Sequence, residues 1–335
     1  MATERLALDF GTAETKIYKL GSGMVLAEPT VAAVSTEDKL KVRAVGKDAK
    51  KLIGKTAEKT KIVFPMFEGE VVSDKVATAV LDEFLDKIDF KGGILGGSVV
   101  VSVPCGASFD LLRKLESVIV GAGIGTVDFV EAPILSALGQ ELTLTEFSPY
   151  FIIDMGAGNT NIAAVSLEGV IAGISVNMGG NGIDTALIDF IAEEYGMQIG
   201  LVTAEKLKVR IGSLVDNDTL SSVVNGRDLT TGKPRSISIS ARDIKPVVEK
   251  YYSTISELAL KVLAKLPPEV SAEIRHAGIY LSGGGAKIYG LEDYFTKKFG
   301  MQVTVAKNPS YCTAFGGGIA LGNPKLLKKI KVKIG

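Results

Sequence analysis

The feature that most constrains this chain is that it resembles itself. Residues RLALDFGTAETKIYKLGSGMVLAEP, starting at Arg5, and YFIIDMGAGNTNIAAVSLEGVIAGI, starting at Tyr150, share one plan. Each opens with a short apolar run ending on an aspartate, Asp9 or Asp154. Each aspartate is followed by Gly-x-x-x-Thr, Gly11 to Thr15 and Gly156 to Thr160. A second apolar run, a glycine turn and a third run follow. This is a β-meander present twice, about half a chain apart. The spacing is far too long for a solenoid and implies a duplicated lobe. Two such lobes facing each other bring Asp9 and Asp154 towards one cleft.

The remaining pattern alternates strands and helices, which implies an α/β class with mixed sheets. SVVVSVP (98–104) reads as a buried strand and TVDFVEAP (126–133) as another short strand. FDLLRKLESVIVGAG, GIDTALIDFIAEEYG and the long ARDIKPVVEKYYSTISELALKVLAKLPPEV read as helices. Gly196 is expected to close the second, and Pro267–Pro268 to end the third. The segments 30–72 and 182–242 are more charged and less periodic, as inserted subdomains would be. Asn225–Gly226, between β-prone runs, signals a hairpin turn.

The chain has 335 residues, enough for two lobes. Lys+Arg and Asp+Glu both total 38, so nothing in the balance points to nucleic acid as a direct partner. The two cysteines, Cys105 and Cys312, argue against a disulfide framework. The lone histidine, His276, excludes a multi-histidine metal site or a histidine-based triad. No leader peptide is read at the start, and no apolar run approaches the ~20 residues that span a bilayer. A reducing, cytoplasmic setting is the expectation.

The two loops suggest phosphate chemistry. Phosphates need many donors and little bulk, which Gly11, Thr12, Ala13, Glu14 and Thr15 supply in one lobe. Gly156, Ala157, Gly158, Asn159 and Thr160 supply them in the other. A carboxylate beside phosphates must act through a cation, so Asp9 and Asp154 are expected to hold Mg²⁺, largely through water. Gly179–Gly180 is a further glycine pair at the start of a helix. In LSGGGAKIYGL, Gly284, Gly285 and Ala286 offer a flat backbone for an adenine ring, with Lys287 and Ile288 at its edge. A close strand–helix crossing would also need those glycines. Glu205 and Lys208 share one helix face, suited to ribose hydroxyls and adenine or phosphate, or simply to an ion pair in solvent.

In this order and spacing the motifs resemble those of the actin superfamily. DFGTAETK and DMGAGNTN resemble its phosphate motifs, and LSGGGAKIYGL its adenosine motif. The resemblance extends along nearly the whole chain to the MreB type of bacterial actin, through LAEPTVAAV, AVGKDAKKLIGKT, PMFEGEVVSD, NGRDLTTGKPRSISIS and FGGGIALGNPKLL. AEKLKVRIG is similar to the nucleotide helix of that family. It implies the actin-like, duplicated ribonuclease H-like fold, two lobes with four subdomains around an ATP/ADP and Mg²⁺ cleft. Residues 1–145 would form lobe I, with 30–72 inserted and 310–335 returning to it. Residues 146–309 would form lobe II, with 182–242 inserted. It also implies assembly with itself into paired protofilaments.

Two departures stand out. Where the family has Glu-Pro at the strand that orients attacking water, this chain has Glu131-Ala132-Pro133. Glu131 and Asp154 are then the catalytic candidates, and slow hydrolysis is expected. Glu14 stands where MreB proteins commonly have asparagine. The basic end PKLLKKIKVKIG is either a solvated tail or a contact to an anionic membrane surface.

The function expected is a cytoskeletal filament switched by ATP, serving cell shape, organelle positioning as in the MamK type, or DNA segregation. No cargo adaptor follows from the sequence. The alternatives are a small-molecule kinase and a nucleotide-binding scaffold on the same fold.

Overall fold

The computed structural model describes residues 4–38, 41–92, 96–146 and 148–333. The last two residues of the basic end lie outside them. The first half runs β1 (Arg5–Phe10), β2 (Glu14–Lys19), β3 (Gly23–Pro29), β4 (Ala32–Ser35), β5 (Val42–Val45), α1 (Gly46–Lys50), β6 (Thr60–Val63), β7 (Met66–Phe67) and β8 (Glu70–Val71). It continues with α2 (Asp74–Lys87), β9 (Ser98–Val103), α3 (Phe109–Gly121), β10 (Thr126–Glu131) and α4 (Ala132–Gly139). The second half runs β11 (Tyr150–Met155), β12 (Thr160–Ser166), β13 (Gly169–Val176), α5 (Gly180–Tyr195), β14 (Met197–Gln198), α6 (Leu201–Ile211), β15 (Ser221–Asp228) and β16 (Pro234–Ser240). It ends with α7 (Ala241–Leu263), α8 (Pro268–Ala277), β17 (Ile279–Ser282), α9 (Leu291–Phe299), β18 (Val303–Val305), α10 (Cys312–Gly322) and α11 (Pro324–Ile330).

The duplication is structural. One five-stranded sheet has the order β10-β9-β1-β2-β3 and the other β13-β12-β11-β17-β18. In each, a three-stranded antiparallel meander is extended by two parallel strands beside its first strand. Period-2 alternation then decides what each face covers. Leu6, Leu8, Phe10, Val99 and Val101 point into one core, and Phe151, Ile153, Met155, Ile279 and Leu281 into another. The opposite faces, with Ala7, Val100, Ile152 and Ala163, meet a third core carried by α4 and α10 between the sheets. Strands apolar on both faces are what a sheet covered twice requires.

The two central helices cross very closely. A Cβ on Gly139 would overlap the Cys312 carbonyl, and one on Gly316 the Leu135 carbonyl. Backbone meets backbone there, which only glycine allows.

Local signals behave as their chemistry dictates, with one exception. Gly196 closes α5 in the left-handed region, at φ 59°. Ser240 and Asp243 form a reciprocal capping box on α7. α7 ends at Leu263, before the prolines, and Pro267–Pro268 instead open α8, a helix that the sequence pattern did not resolve. The exception is Asn225–Gly226. It lies within β15, paired with Ser236 and Arg235, and the chain turns after Asp228 instead. Gly226 is needed because β14 lies against it: a Cβ would strike the Gln198 carbonyl. The Asp228 carboxylate, taking N–H groups from Thr230 and Thr231, forms the hairpin turn instead.

Among the described residues no helix is long and apolar enough to cross a membrane.

Candidate functional site

The aspartate ends of β1 and β11 open on a shared cleft of about 320 Å³. The two halves build it alike. Asp9 stands opposite Lys16 in the β1–β2 register, and Asp154 opposite Asn161 in the β11–β12 register. Lys16 Nζ lies 3.5 Å from Asp9 Oδ2, and Asn161 Nδ2 donates to Asp154 Oδ2 at 3.4 Å. The neighbouring parallel strand gives each aspartate a serine. Ser102 donates to Asp9 Oδ1 at 3.1 Å, and Ser282 to Asp154 Oδ1 at 2.8 Å.

Their electrostatics differ. Burial pushes the Asp154 carboxyl up to about 6, aided by the charge of Asp9 and opposed by Ser282 and Asn161. Lys16 is 7% exposed. Burial pulls its pKa down, but the carboxylates of Asp9 and Glu14 outweigh that and hold it above the usual lysine range. Glu14 lies 3.4 Å from the ammonium. The carboxylate at position 14 is thus compensated by the Lys16 ammonium.

The loops face each other across the cleft. A Cβ on Gly158 would come within 2.5 Å of Thr12 Oγ1 and 2.8 Å of the Glu68 backbone. Gly11, Thr12, Ala13 and Glu14 line one wall, and Gly156, Ala157, Gly158 and Asn159 the other. Glu205 and Gly284 also line the cleft. Lys50 joins Glu205 at 3.1 Å, an ion pair between α1 and α6 with both side chains about two-fifths exposed (43% and 42%).

Other expected residues stand behind this surface. Thr15 shares a hydrogen bond with Thr30, and Thr160 donates to the Met178 carbonyl; both are fully buried and brace their meanders. Gly179 and Gly180 pack against the second loop, with Gly180 N–H donating to the Gly156 carbonyl at 3.0 Å. Lys208 donates to Asp184 at 2.9 Å and to the Gly180 carbonyl at 2.8 Å, tying α6 to α5. Gly285 rests on Met155, Ala286 is buried in the core of the second half, and Ile288 packs against it. Neither Lys287 nor Ile288 reaches the cleft wall. Part of the glycine run therefore serves close strand–helix packing, and Gly283–Gly284 face the cleft.

Glu131 is corrected more sharply. It does not line the cleft; Ala132 does. Glu131 ends β10 and accepts the Gly106 N–H at 2.7 Å, beside Cys105. Burial, with the Glu131 charge next, pushes that thiol up to about 12. The reason is geometric: β10 ends at Glu131 and α4 starts at Ala132, so the backbone changes course between the two side chains.

The residues that sequence reasoning missed are Lys16, Ser102, Asn161 and Ser282. Ser102, Asn161 and Ser282 carried a signal, a polar side chain in a largely apolar strand; Lys16, in the mixed strand β2, carried none. That signal becomes specific only once the register places each beside an aspartate.

A divalent cation fits this donor set in one way. Among the described residues no three His, Cys, Asp or Glu side chains cluster closely enough to hold a metal themselves. Two carboxylates at one end of a cleft lined by bare loops suit a hard cation that takes its other ligands from phosphate and water.

Comparison with known proteins is consistent along the chain. The profile of the MreB/Mbl protein family matches residues 3–329. The cell shape-determining protein MreB of Escherichia coli K12 is 34% identical over 326 residues, covering 96% of this chain and 94% of that protein. The cell shape-determining protein Mbl of Bacillus subtilis is 29% identical, covering 99% and 100%. The crystal structure of MreB 5 of Spiroplasma citri bound to AMPPNP superposes with a TM-score of 0.92 at 29% identity, covering 97% of this chain and 98% of that one. The same protein bound to ADP gives 0.91. The MamK double helical filament gives 0.80 at 23% identity, a likeness of fold.

Proposed function

Because the chain belongs to the MreB/Mbl family, we propose that it is an actin-like cytoskeletal protein that assembles with itself and takes an adenine nucleotide in the cleft between its two sheets. The observation that carries this is the paired aspartate–glycine loop, present twice and facing itself, in a fold shared with a relative bound to AMPPNP. The kinase alternative is set aside, since the relatives matched end to end are cell shape-determining proteins.

In this reading the backbone N–H groups of residues 11–14 and 156–159 hold the phosphates. Lys16 adds the buried cation that faces them. Glu205 receives the ribose, and Gly283–Gly284 lie flat against the base. Asp9 and Asp154 would hold Mg²⁺ through water; the ion would neutralise charge between phosphates and carboxylates. The four-subdomain division, with small sheets β4–β6 and β14–β16 capping the two halves, belongs to the same proposal.

Hydrolysis is proposed to be slow, because Ala132 offers no group to orient water where it lines the cleft. Assembly would then follow nucleotide binding, and disassembly would lag. A cytoplasmic location fits this role. Membrane contact through the C-terminal end is a lesser proposal, because Lys329 and Lys331 there already pair with Glu146 and Asp128.

The test is sedimentation of purified protein with Mg-AMPPNP, Mg-ADP or no nucleotide, with phosphate release in parallel Mg-ATP samples and electron microscopy of the pellets. Nucleotide-dependent filaments are the expected result. Protein that stays in the supernatant under every condition would overturn the filament reading.

A further inference from the structure

A line of hydrogen bonds, buried beyond its first link, begins outside the cleft and ends on the aspartate inside it. Gln140 Nε2 donates to Ser136 Oγ at 3.3 Å, Ser136 Oγ to Ser282 Oγ at 2.6 Å, and Ser282 Oγ to Asp154 Oδ1 at 2.8 Å. Ser136 and Ser282 are both fully buried.

The direction of each bond follows from the last. An ionised carboxylate only accepts, so the single Ser282 proton goes to Asp154. The short contact between the serines must then carry the proton of Ser136. The freed lone pair of Ser136 takes the Gln140 amide. Each donor polarises the next, so the chain is stronger than its links taken singly.

Its route makes it more than a satisfied core. Ser136 and Gln140 belong to α4 and the residue closing it, within the layer between the two sheets. Ser282 and Asp154 end two parallel strands of the second sheet. The same helix places Ala132 in the cleft wall at its start. Gln140, at its end, lines a second cavity of about 590 Å³ with Tyr18, Tyr280 and Phe315. A displacement of α4 therefore reaches Asp154 through two hydroxyls.

We propose that Ser136 is a positioning residue for the nucleotide site: through Ser282 it fixes the rotation of the Asp154 carboxylate and couples it to the helix between the sheets. The proposal rests on the reading of the cleft as a nucleotide site. Ser136 touches neither cleft nor ligand, so its effect must appear only where Asp154 acts.

The experiment measures binding of a fluorescent ADP analogue by wild type, Ser136→Ala, Ser282→Ala, the double variant and Gln140→Leu. Each is titrated with Mg²⁺ and with EDTA, after a melting curve confirms folding. Ser136→Ala is expected to weaken binding about three- to tenfold with Mg²⁺, with affinity in EDTA within about twofold of wild type. The double variant is expected to bind no more weakly than Ser282→Ala, because the first link acts only through the second. Gln140→Leu, on the wall of the second cavity, should show a smaller loss of the same Mg²⁺-dependent kind, and carries the test if Ser136→Ala does not fold. Equal losses with and without Mg²⁺, no loss, or losses that multiply in the double variant would overturn the positioning role. A wild type that binds no nucleotide in either buffer would overturn the site reading and this inference with it.

Discussion

Lys16 and Asn161 occupy the same station in the two halves of the molecule, each opposite the strand-end aspartate of its own meander and each bonded to it. The duplication preserved the position and split the chemistry. Lys16 brings a charge to the cleft, and Asn161 brings two-way hydrogen bonding. Its amide donates to Asp154 while its carbonyl accepts the Cys105 N–H at 2.9 Å. That second bond ties β12 of one half to the turn after β9 in the other.

Lys16→Met tests the charge. Removing it takes away the ammonium that Asp9 and Glu14 share. Nucleotide affinity is expected to fall about tenfold or more, and the nucleotide-free protein to lose about 1–3 kcal/mol. Calorimetric titration and urea unfolding read the two effects.

Ala132→Glu places a carboxylate in the cleft wall. Phosphate release is expected to rise at least about tenfold, a part of the ~10²–10⁴-fold that a well-positioned general base contributes. Glu131→Gln should leave turnover within about twofold of wild type, since that side chain serves the Gly106 N–H. A steady-state phosphate assay on both variants decides between the two positions.

Asp154 gives a pH dependence with a defined sign. Its folded pKa of about 6 lies above the ~3.9 of an unfolded aspartate. The folded state therefore binds more protons between these values, and this group lowers stability as pH rises from ~4 to ~6. Asp154→Asn should raise the melting temperature of nucleotide-free protein at pH 7.5, by about 1–3 kcal/mol of stability, and give almost no gain at pH 4. Melting curves across that range show whether the gain follows the titration.

The Lys50–Glu205 pair is exposed, so its stabilising effect should be at most about 1 kcal/mol and sensitive to salt. Lys50→Ala is expected to leave melting within a degree or two and to speed release of bound nucleotide by up to about threefold in low salt. The difference should vanish in about 0.5 M salt, where the Debye length falls to ~4–5 Å. Stopped-flow displacement of a fluorescent ADP analogue measures it.

Gly139→Ala and Gly316→Ala probe the crossing of α4 with α10. Each added methyl meets a carbonyl of the partner helix, and backbone cannot step aside as a side chain can. Losses above about 3 kcal/mol are expected, seen as low soluble yield or a shifted urea midpoint.

The sequence by itself determined the duplicated meander, the two aspartate–glycine loops and the family resemblance, because these are local patterns: a period of two, a strand-end carboxylate, a glycine turn. It also determined that position 132 is alanine. Only the tertiary structure decided what each nearby residue faces. Thr15 and Thr160 sit in the loop motifs yet turn inward to Thr30 and Met178. Glu131 lies one residue from the cleft and bonds to Gly106 instead. Lys208 ties α6 to α5. Conversely Ser282, distant in sequence, reaches Asp154 because β17 pairs in parallel with β11. Which strand lies beside which, and so which side chains share a face, depends on contacts between residues well separated in sequence, from Thr15 and Thr30 to Asp154 and Ser282, and no local pattern carries that.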